Sequence, residues 1–249
     1  DIVDERLNIT LQPQVSVVLM DQYTGHVKAI VGGRGAKTTS LSLNRATASP
    51  KQPGSCFKVL STYAPGLNEC GMTLATTIKD EPYRYASGQP VNNWDNKYIG
   101  SARVRYAIEH SMNVCAVRTL TETVGLEKGY KYLENFGFTT LVNNDPNYPG
   151  MSDIAQATAL GGITRGVYNI EMTAAYAAIA NSGIYTEPLL YTEILDHDGN
   201  VLIDNSKPIT RRVLKESTAF LLTSAMQDVI NRGTGTPARL NNMPAAGKT

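Results

Sequence analysis

The stretch Gln52-Pro53-Gly54-Ser55-Cys56-Phe57-Lys58-Val59-Leu60 decides how the rest of the chain is interpreted. Pro-Gly marks a turn, and the apolar run after it predicts a buried helix that extends to about Tyr63. Positions i and i+3 lie on one face of a helix, so the Ser55 hydroxyl and the Lys58 amino group can meet. A serine nucleophile needs an adjacent base, and a lysine becomes that base when burial or a second cation lowers its pKa.

The same spacing has a simpler interpretation. Ser55 would then be a helix N-cap, and Lys58 would be a lysine whose amino group reaches solvent. Roughly one Ser-x-x-Lys match is expected by chance in a chain of this length. The choice between the two interpretations therefore depends on the remaining sequence.

Composition excludes several classes of function. The chain has 249 residues, of which 42% are hydrophobic and 18% charged, so it is globular. The net charge of +1 leaves no electrostatic footprint for nucleic acid, and no apolar run approaches the roughly 18 residues of a membrane span. The three cysteines and three histidines match no zinc or disulfide spacing. We therefore expect no metal, no cofactor and no nucleic-acid partner.

Hydrophobic periodicity predicts an α+β chain. Residues 1–14 are polar and predict a linker or irregular segment before a single domain at 15–249. Residues 15–20 and 26–31 predict an antiparallel hairpin around a turn. An alanine-rich helix at 171–180 is apolar on all sides and should be central.

Two further segments carry polar residues that could face a cleft. Residues 66–100 predict a long connection along one side of it, in which Trp94 either lines a substrate groove or packs beneath the loops. Ser101 is expected to cap a helix, and Ser111-Met112-Asn113 to link that helix to the next. Ser111 would relay protons and Asn113 would hydrogen-bond a substrate, unless one of them only caps the second helix.

The last residues, Ala245-Ala246-Gly247-Lys248-Thr249, predict the start of a strand. With them, three motifs stand in order along the chain: Ser55-x-x-Lys58, Ser111-x-Asn113 and Lys248-Thr249. This set resembles the motifs of penicillin-binding proteins and class A β-lactamases. Further stretches are similar to landmarks of class A penicillin-binding transpeptidase domains: Thr24 to Gly33, Leu43 to Ala46, Ala159 to Gly162, Met172 to Ala177, and Gly233 to Gly235.

The resemblance covers nearly the whole chain and implies a β-lactamase/transpeptidase-like α+β fold, with an antiparallel sheet flanked by helices and an all-helical subdomain. It implies a serine D,D-transpeptidase. Ser55 would attack the penultimate D-alanine carbonyl of a peptidoglycan stem peptide, and an amine of a neighbouring stem would take the acyl group. β-Lactams would acylate and inhibit the same serine. Lys58 would be the base, and Ser111 would pass a proton toward the leaving nitrogen.

The resemblance also assigns the other motif residues. Asn113 would hold the substrate amide, Lys248 would keep Lys58 neutral and attract the substrate carboxylate, and Thr249 would hydrogen-bond that carboxylate. The backbone N–H of Ser55 would form half of an oxyanion hole.

The motif glycine after Thr249, the later strands and the second oxyanion donor are missing, so we expect a chain truncated at the active-site strand and inactive or poorly active alone. The remaining C-terminal piece, an upstream glycosyltransferase domain and a membrane anchor are expected outside it. The family implies a position on the extracytoplasmic face of a bacterial cell membrane.

Three other functions stay open. A β-lactamase needs a base for the deacylating water, and Glu122, Glu127 and Glu134 are in range but on predicted helices. Met112 also stands where class A β-lactamases usually carry aspartate. A D,D-carboxypeptidase would use water as acceptor, and a non-enzymatic penicillin-sensing domain would be acylated once.

Overall fold

The computed structural model describes residues 13–249 in full and the backbone of Ile2–Asp4 and Ile9–Leu11. The α-helices of this part are α1 Arg45–Ala48, α2 Ala64–Glu69, α3 Val104–Glu109, α4 Asn113–Thr119, α5 Leu126–Asn135, α6 Asn169–Ala180 and α7 Glu216–Asn231. The strands are β1 Ile2–Asp4, β2 Ile9–Leu11, β3 Val17–Met20, β4 Val27–Val31, β5 Thr77–Asp80, β6 Tyr83–Arg84, β7 Pro90–Val91, β8 Gly100–Arg103, β9 Ile184–Thr186, β10 Glu193–Leu195, β11 Val201–Asp204 and β12 Thr210–Arg212.

The strands pair antiparallel, two by two, as β1-β2, β3-β4, β5-β8, β6-β7, β9-β12 and β10-β11. The predicted α+β class is confirmed, but these pairs do not join into one continuous sheet within the described residues. The hairpin predicted at 15–31 is present as β3-β4. Residues 1–14 contain the β1-β2 pair rather than only irregular chain, while residues 1, 5–8 and 12 lie outside the described part.

The helix that carries Ser55 is longer than predicted and is built from three segments. It opens with a 3₁₀ turn at Gly54–Cys56, continues as a π-helix at Lys58–Tyr63 and ends as α2. We call these segments together the Ser55 helix. Burial of its large apolar side chains explains why the helix forms. Four of them are completely buried: Phe57, Val59, Leu60 and Tyr63. Single π turns inside helices are frequent at functional sites.

The main core surrounds the Ser55 helix. Helix α6 lies against β3 on one side and α7 on another, and its small buried residues Ala174, Ala175 and Ala178 allow this close approach. The predicted central position of α6 is confirmed. Helix α7 also packs against α2 and α3. Because α7 ends at Asn231, this packing fixes where residues 232–249 leave the core.

Three local predictions were wrong. Residues 66–100 are not one long connection, because they contain the end of α2 and the strands β5, β6 and β7. Ser101 lies in strand β8 instead of capping a helix, because β5 pairs with β8 and α3 begins at Val104. The expected strand start at 245–249 is absent from the described chain, and these residues run without regular structure. The predicted link between two helices is confirmed, since α3 ends at Glu109 and α4 begins at Asn113.

Candidate active site

The three motifs line one open cavity of about 650 Å³. It is bordered by Ser55, Trp94, His110, Ser111, Asn113, Arg232, Gly233, Thr234, Thr236, Pro237 and Thr249. These residues come from the Ser55 helix, the loop between β7 and β8, the link into α4, the segment after α7 and the end of the chain. Side chains up to 194 positions apart in the sequence thus face the same space.

Ser55 lies in the first turn of the Ser55 helix and is half-buried. Its position depends on a tight contact behind it. Gly161 has φ +75°, and a side-chain carbon there would lie 2.3 Å from the Gly54 carbonyl oxygen. No hydrogen bond joins the Ser55 hydroxyl to Lys58 among the residues that the structure describes. The predicted pair therefore shares one helix, and Lys58 Nζ forms its hydrogen bonds with Ser111 and Asn113 instead.

Lys58 is fully buried beneath the cavity floor. Its Nζ lies 2.5 Å from the Ser111 carbonyl oxygen, 3.1 Å from Ser111 Oγ and 2.5 Å from Asn113 Oδ1. Burial is the main reason why the pKa of Lys58 falls to about 7, and the charge of Lys248 lowers it further. The simpler interpretation, in which the amino group of Lys58 reaches solvent, is thereby wrong.

Ser111 connects the two lysines of the site. Lys248 Nζ donates to Ser111 Oγ at 2.7 Å and also to the Thr249 carbonyl oxygen. Burial lowers the pKa of Lys248 to about 8. Ser111 has φ 54°, in the left-handed region that residues other than glycine seldom occupy. This conformation aims both its carbonyl oxygen and its hydroxyl at Lys58, and backbone strain of this kind clusters at functional sites.

The surroundings of Lys58 have opposing effects on its protonation state. Three oxygen neighbours favour the ammonium, whereas burial and Lys248 favour the neutral amine. A neutral amine satisfies every group: its two N–H bonds point to the Ser111 carbonyl and to Asn113 Oδ1, and its lone pair faces the Ser111 hydroxyl. Ser111 Oγ then accepts from Lys248. We favour this assignment because it leaves no group unpaired.

Asn113 is the first residue of α4, and both ends of its amide are engaged. Oδ1 is held by Lys58, and Nδ2 donates to the Asn92 carbonyl at 2.8 Å. Its backbone N–H donates to Asn93 Oδ1 at 2.9 Å. The Asn113 side chain is therefore fixed at the cavity wall and does not cap its own helix.

Thr249 and Trp94 border the opposite rims. Thr249 Oγ1 lies 2.7 Å from Thr234 Oγ1. Trp94 is 75% exposed, so it lines the cavity and does not pack beneath the loops. Of the two interpretations left open for Trp94, the geometry supports the groove.

Sequence reasoning missed three residues that line the cavity, Thr234, Arg232 and His110, and it missed Asn93, which supports the cavity wall from behind. The only signal for Thr234 was its place in the Gly233-Thr234-Gly235 stretch. Arg232 donates to Glu109 at 3.2 Å and to Asp228 at 2.9 Å, so its guanidinium is held at the rim. The described residues contain no group of three or more His, Cys, Asp or Glu that could bind a metal.

Cys56 adjoins Ser55, yet its surroundings do not activate it. Its Sγ donates to the Lys248 carbonyl at 3.4 Å, and burial raises the pKa of the thiol. Reactive cysteines have lowered pKa values. Cys56 therefore packs the Lys248 segment against the Ser55 helix, as expected of a small apolar residue.

Comparison with known proteins places this arrangement in a family. The profile of the "Penicillin binding protein transpeptidase domain" matches residues 15–249. The chain is 38% identical over 254 residues to penicillin-binding protein 1A of Clostridium acetobutylicum, covering 97% of the chain and 30% of that protein. It is 35% identical to penicillin-binding protein 1A of Streptococcus oralis, covering 95% of the chain and 36% of that protein.

Solved structures have the same fold. Penicillin-binding protein 1A of Haemophilus influenzae aligns with a TM-score of 0.72 at 26% identity, over 94% of this chain and 36% of that one. PonA1 of Mycobacterium tuberculosis, in complex with penicillin V, aligns with a TM-score of 0.73 at 23% identity, over 87% of this chain and 56% of that one. The matched profile, the relatives and the shared fold agree with the cavity built from the three motifs, and the chain therefore belongs to the penicillin-binding protein transpeptidase domain family.

Proposed function

We propose that this chain is the catalytic domain of a serine D,D-transpeptidase, which cross-links peptidoglycan stem peptides through an acyl-enzyme on Ser55 and is acylated and inhibited by β-lactams. One observation carries the proposal. The hydroxyl of Ser111 lies between the amino groups of Lys58 and Lys248, in the cavity that Ser55 lines. A neutral lysine, a cationic lysine and a shared hydroxyl are the parts that acyl transfer without histidine or metal requires.

In the proposed acylation, substrate binding brings the Ser55 hydroxyl within hydrogen-bond distance of Lys58 Nζ, since catalytic hydrogen bonds often tighten only in the substrate complex. Neutral Lys58 then accepts the proton of Ser55 while Ser55 Oγ attacks the penultimate D-alanine carbonyl. The Ser55 backbone N–H, at the start of the helix, stabilises the oxyanion. Ser111 then delivers its proton to the leaving nitrogen and takes one back from protonated Lys58, and terminal D-alanine departs as an amine. A second stem-peptide amine attacks the acyl-enzyme and gives up a proton through Ser111 to Lys58. Lys58 returns this proton to the Ser55 oxygen as the ester bond breaks, which regenerates Ser55 and forms the cross-link.

The rims provide groups for orienting a D-alanyl-D-alanine end. Positive Lys248, together with the hydroxyl of Thr249, would bind the substrate carboxylate. Asn113 would hydrogen-bond the substrate amide. The exposed ring of Trp94 would contact the apolar part of the stem peptide.

The cavity lining argues against a β-lactamase. Rapid deacylation needs a base next to the acyl carbonyl, but the described residues that border the cavity include no carboxylate. Glu122 pairs with Arg118 at 3.4 Å, and Glu134 pairs with Lys131 at 3.1 Å, both away from the cavity. A long-lived acyl-enzyme is the consequence that we expect. A carboxypeptidase differs only in its acceptor, so product analysis separates the two.

The setting of the domain is part of the proposal. The chain spans about a third of the length of the penicillin-binding 1A proteins that it matches. We propose an accompanying glycosyltransferase domain and membrane anchor, with this domain on the extracytoplasmic face. None of the described helices is both long and apolar enough to span a bilayer. A solved relative from Eggerthella lenta, 22% identical, is described as the D,D-transpeptidase domain of a peptidoglycan glycosyltransferase.

The test is intact mass spectrometry of the full-length natural protein after incubation with benzylpenicillin. We expect one penicilloyl adduct that persists for hours, and none on Ser55→Ala. Cys56→Ser is the matched control for acylation of the neighbouring thiol and should keep the adduct. An adduct that disappears within minutes would favour a β-lactamase, and a folded protein without any adduct would refute the proposal. Incubation with a stem pentapeptide and an amine acceptor then distinguishes cross-linked from trimmed product.

A further inference from the structure

A buried carboxylate lies behind the cavity wall. Asp80, the last residue of β5, is completely buried, and it accepts from Asn93 Nδ2 at 2.8 Å and from the Ile99 N–H at 2.9 Å. No lysine, arginine or histidine among the described residues forms an ion pair with it. Burying a carboxylate without a cation is costly unless hydrogen bonds compensate. The two hydrogen bonds therefore tie Asp80 firmly to the segment from Asn93 to Ile99.

Asn93 extends this connection to α4. Its Oδ1 accepts from the backbone N–H groups of Asn113 at 2.9 Å and Val114 at 3.2 Å, which have no partner within their own helix. Met112, at the N-cap position, provides no side-chain cap. Because Nδ2 of Asn93 must face Asp80, its Oδ1 must face α4. Asp80 thus determines the orientation of the amide that caps the helix.

We propose that Asp80 and Asn93 are positioning residues for the acylation of Ser55. Asp80 orients Asn93, and Asn93 holds the N-terminus of α4 in the place where the Asn113 side chain meets Lys58. Neither residue lines the cavity. The inference rests on the proposed function, because it concerns the rate of that same acylation.

The Asp80–Asn93 pair also positions the loop that carries Trp94 beside α4. Asn93 is followed directly by Trp94, and the carbonyl of the preceding Asn92 accepts from Asn113 Nδ2 at 2.8 Å. Asn93 Nδ2 also donates to the Lys97 carbonyl at 2.9 Å, which closes the turn beneath Trp94. Disturbing the pair should displace the Asn113 amide and the Trp94 rim together.

The experiment exchanges the two side chains in the full-length natural protein. The variants are Asp80→Asn, Asn93→Asp and the double exchange, and the readout is the second-order rate constant for acylation of Ser55 by a fluorescent penicillin. Asn93→Asp places two carboxylates together, and Asp80→Asn lets the amide turn. We expect each single change to lower the rate constant at least tenfold. The double exchange restores the donor–acceptor pair between the two positions, but it leaves the Lys97 carbonyl without the donor that Asn93 supplies. It should therefore raise the rate constant at least about threefold above that of either single variant.

Asp95→Asn is the matched control, because Asp95 is an exposed residue of the same loop. Among the described residues, its carboxylate accepts a side-chain hydrogen bond from the Lys97 N–H alone. Asp95→Asn should leave the rate constant unchanged. If Asp80→Asn and Asn93→Asp both fail to fold, Asn93→Ser replaces them, because it adds no charge. Its acylation rate constant should also fall at least tenfold. Folded single variants within twofold of wild type, or a double exchange without recovery, would overturn this inference alone. If the wild-type protein is not acylated, the proposed function is overturned, and this inference falls with it.

Discussion

At the scale of residues, the site is governed by two amino groups that share one hydroxyl. Lys58 and Lys248 both lie near Ser111 Oγ, and burial lowers the pKa of each. Burial, with a smaller contribution from the charge of Lys248, lowers the pKa of Lys58 to about 7, whereas burial lowers the pKa of Lys248 to about 8. The productive form has Lys58 neutral, to accept a proton, and Lys248 charged, to attract a carboxylate.

This pairing leads us to expect a bell-shaped pH dependence of acylation. The rate constant should rise as Lys58 loses its proton near pH 7 and fall as Lys248 loses its charge above about pH 8. The measurement is the rate of acylation by a fluorescent penicillin between pH 5.5 and 9.5, values chosen to bracket roughly both transitions. In Lys248→Arg the cation persists, so the falling limb should move to higher pH. A flat profile would show that neither lysine titrates in the mechanism.

At the scale of elements, the start of the Ser55 helix is held by a turn that lies more than one hundred residues later in the chain. The 3₁₀ helix Gln156–Leu160 ends at Gly161, whose left-handed conformation brings it against the backbone of Gly54. Gln52 reinforces the contact, since it both donates to the carbonyl and accepts from the N–H of Ile163. The position of Ser55 therefore depends on this packing as well as on its own helix.

Gly161→Ala should damage both stability and acylation. Its Cβ would lie 2.3 Å from Gly54 O and 2.4 Å from Gly54 N, so the backbone must shift. Gly150→Ala is the matched control, because Gly150 has φ +74° but nothing within 4 Å. Strain at such a φ costs about 1–3 kcal/mol, which both variants share.

We expect Gly161→Ala to exceed Gly150→Ala in loss of stability and to acylate at least tenfold more slowly, whereas Gly150→Ala should acylate at the wild-type rate. Chemical denaturation and the penicillin assay measure these effects. Equal effects of the two substitutions would show that the contact with Gly54 is unimportant.

At the scale of the whole molecule, the core is built around a helix that contains a buried amino group. Helices α4 and α5 pack against the segment of the Ser55 helix that carries Lys58, and Lys58 is fully buried there. A hydrophobic side chain of similar size would stabilise this position better than a lysine does. The molecule therefore gives up stability at the site where chemistry needs a neutral amine.

This cost has a definite pH dependence. The pKa of Lys58 is about 7 in the folded state and 10.5 in the reference state, so the unfolded chain binds more protons between these values. The contribution of Lys58 to the free energy of unfolding therefore rises with pH from about 7 upward. Below that range both states are protonated, and the burial penalty is complete.

Lys58→Met should remove this dependence. The stability of the variant relative to wild type should be greatest near pH 6 and should decline as the pH rises toward 9.5, by up to about 1.4 kcal/mol per pH unit. Urea denaturation of both proteins across this range is the measurement. Lys131→Met, which removes an exposed lysine on α5, is the control and should show no such trend. A constant difference between Lys58→Met and wild type would mean that Lys58 stays protonated when buried.

The sequence by itself determined the family, the α+β class and the residues of the three motifs, because short motifs and local periodicity are encoded within a few positions. It also located the link between α3 and α4, where Ser111 and Asn113 lie. Its errors were local: it missed the strands β5, β6 and β7 within residues 66–100 and β8 directly after them. These strands are only two to four residues long, and their formation depends on pairing with another segment more than on their own sequence.

Only the tertiary structure decided how the motif residues meet. The three-residue spacing predicted contact between Ser55 and Lys58, yet Lys58 is instead held by Ser111 and Asn113 from another helix. Three further features also depend on contacts between separate segments. They are the exposed position of Trp94, the contact of Thr234 with Thr249 at the rim, and the support of α4 by Asp80 through Asn93. Side-chain contacts of this kind arise from packing between distant segments, and no local pattern in the chain encodes them.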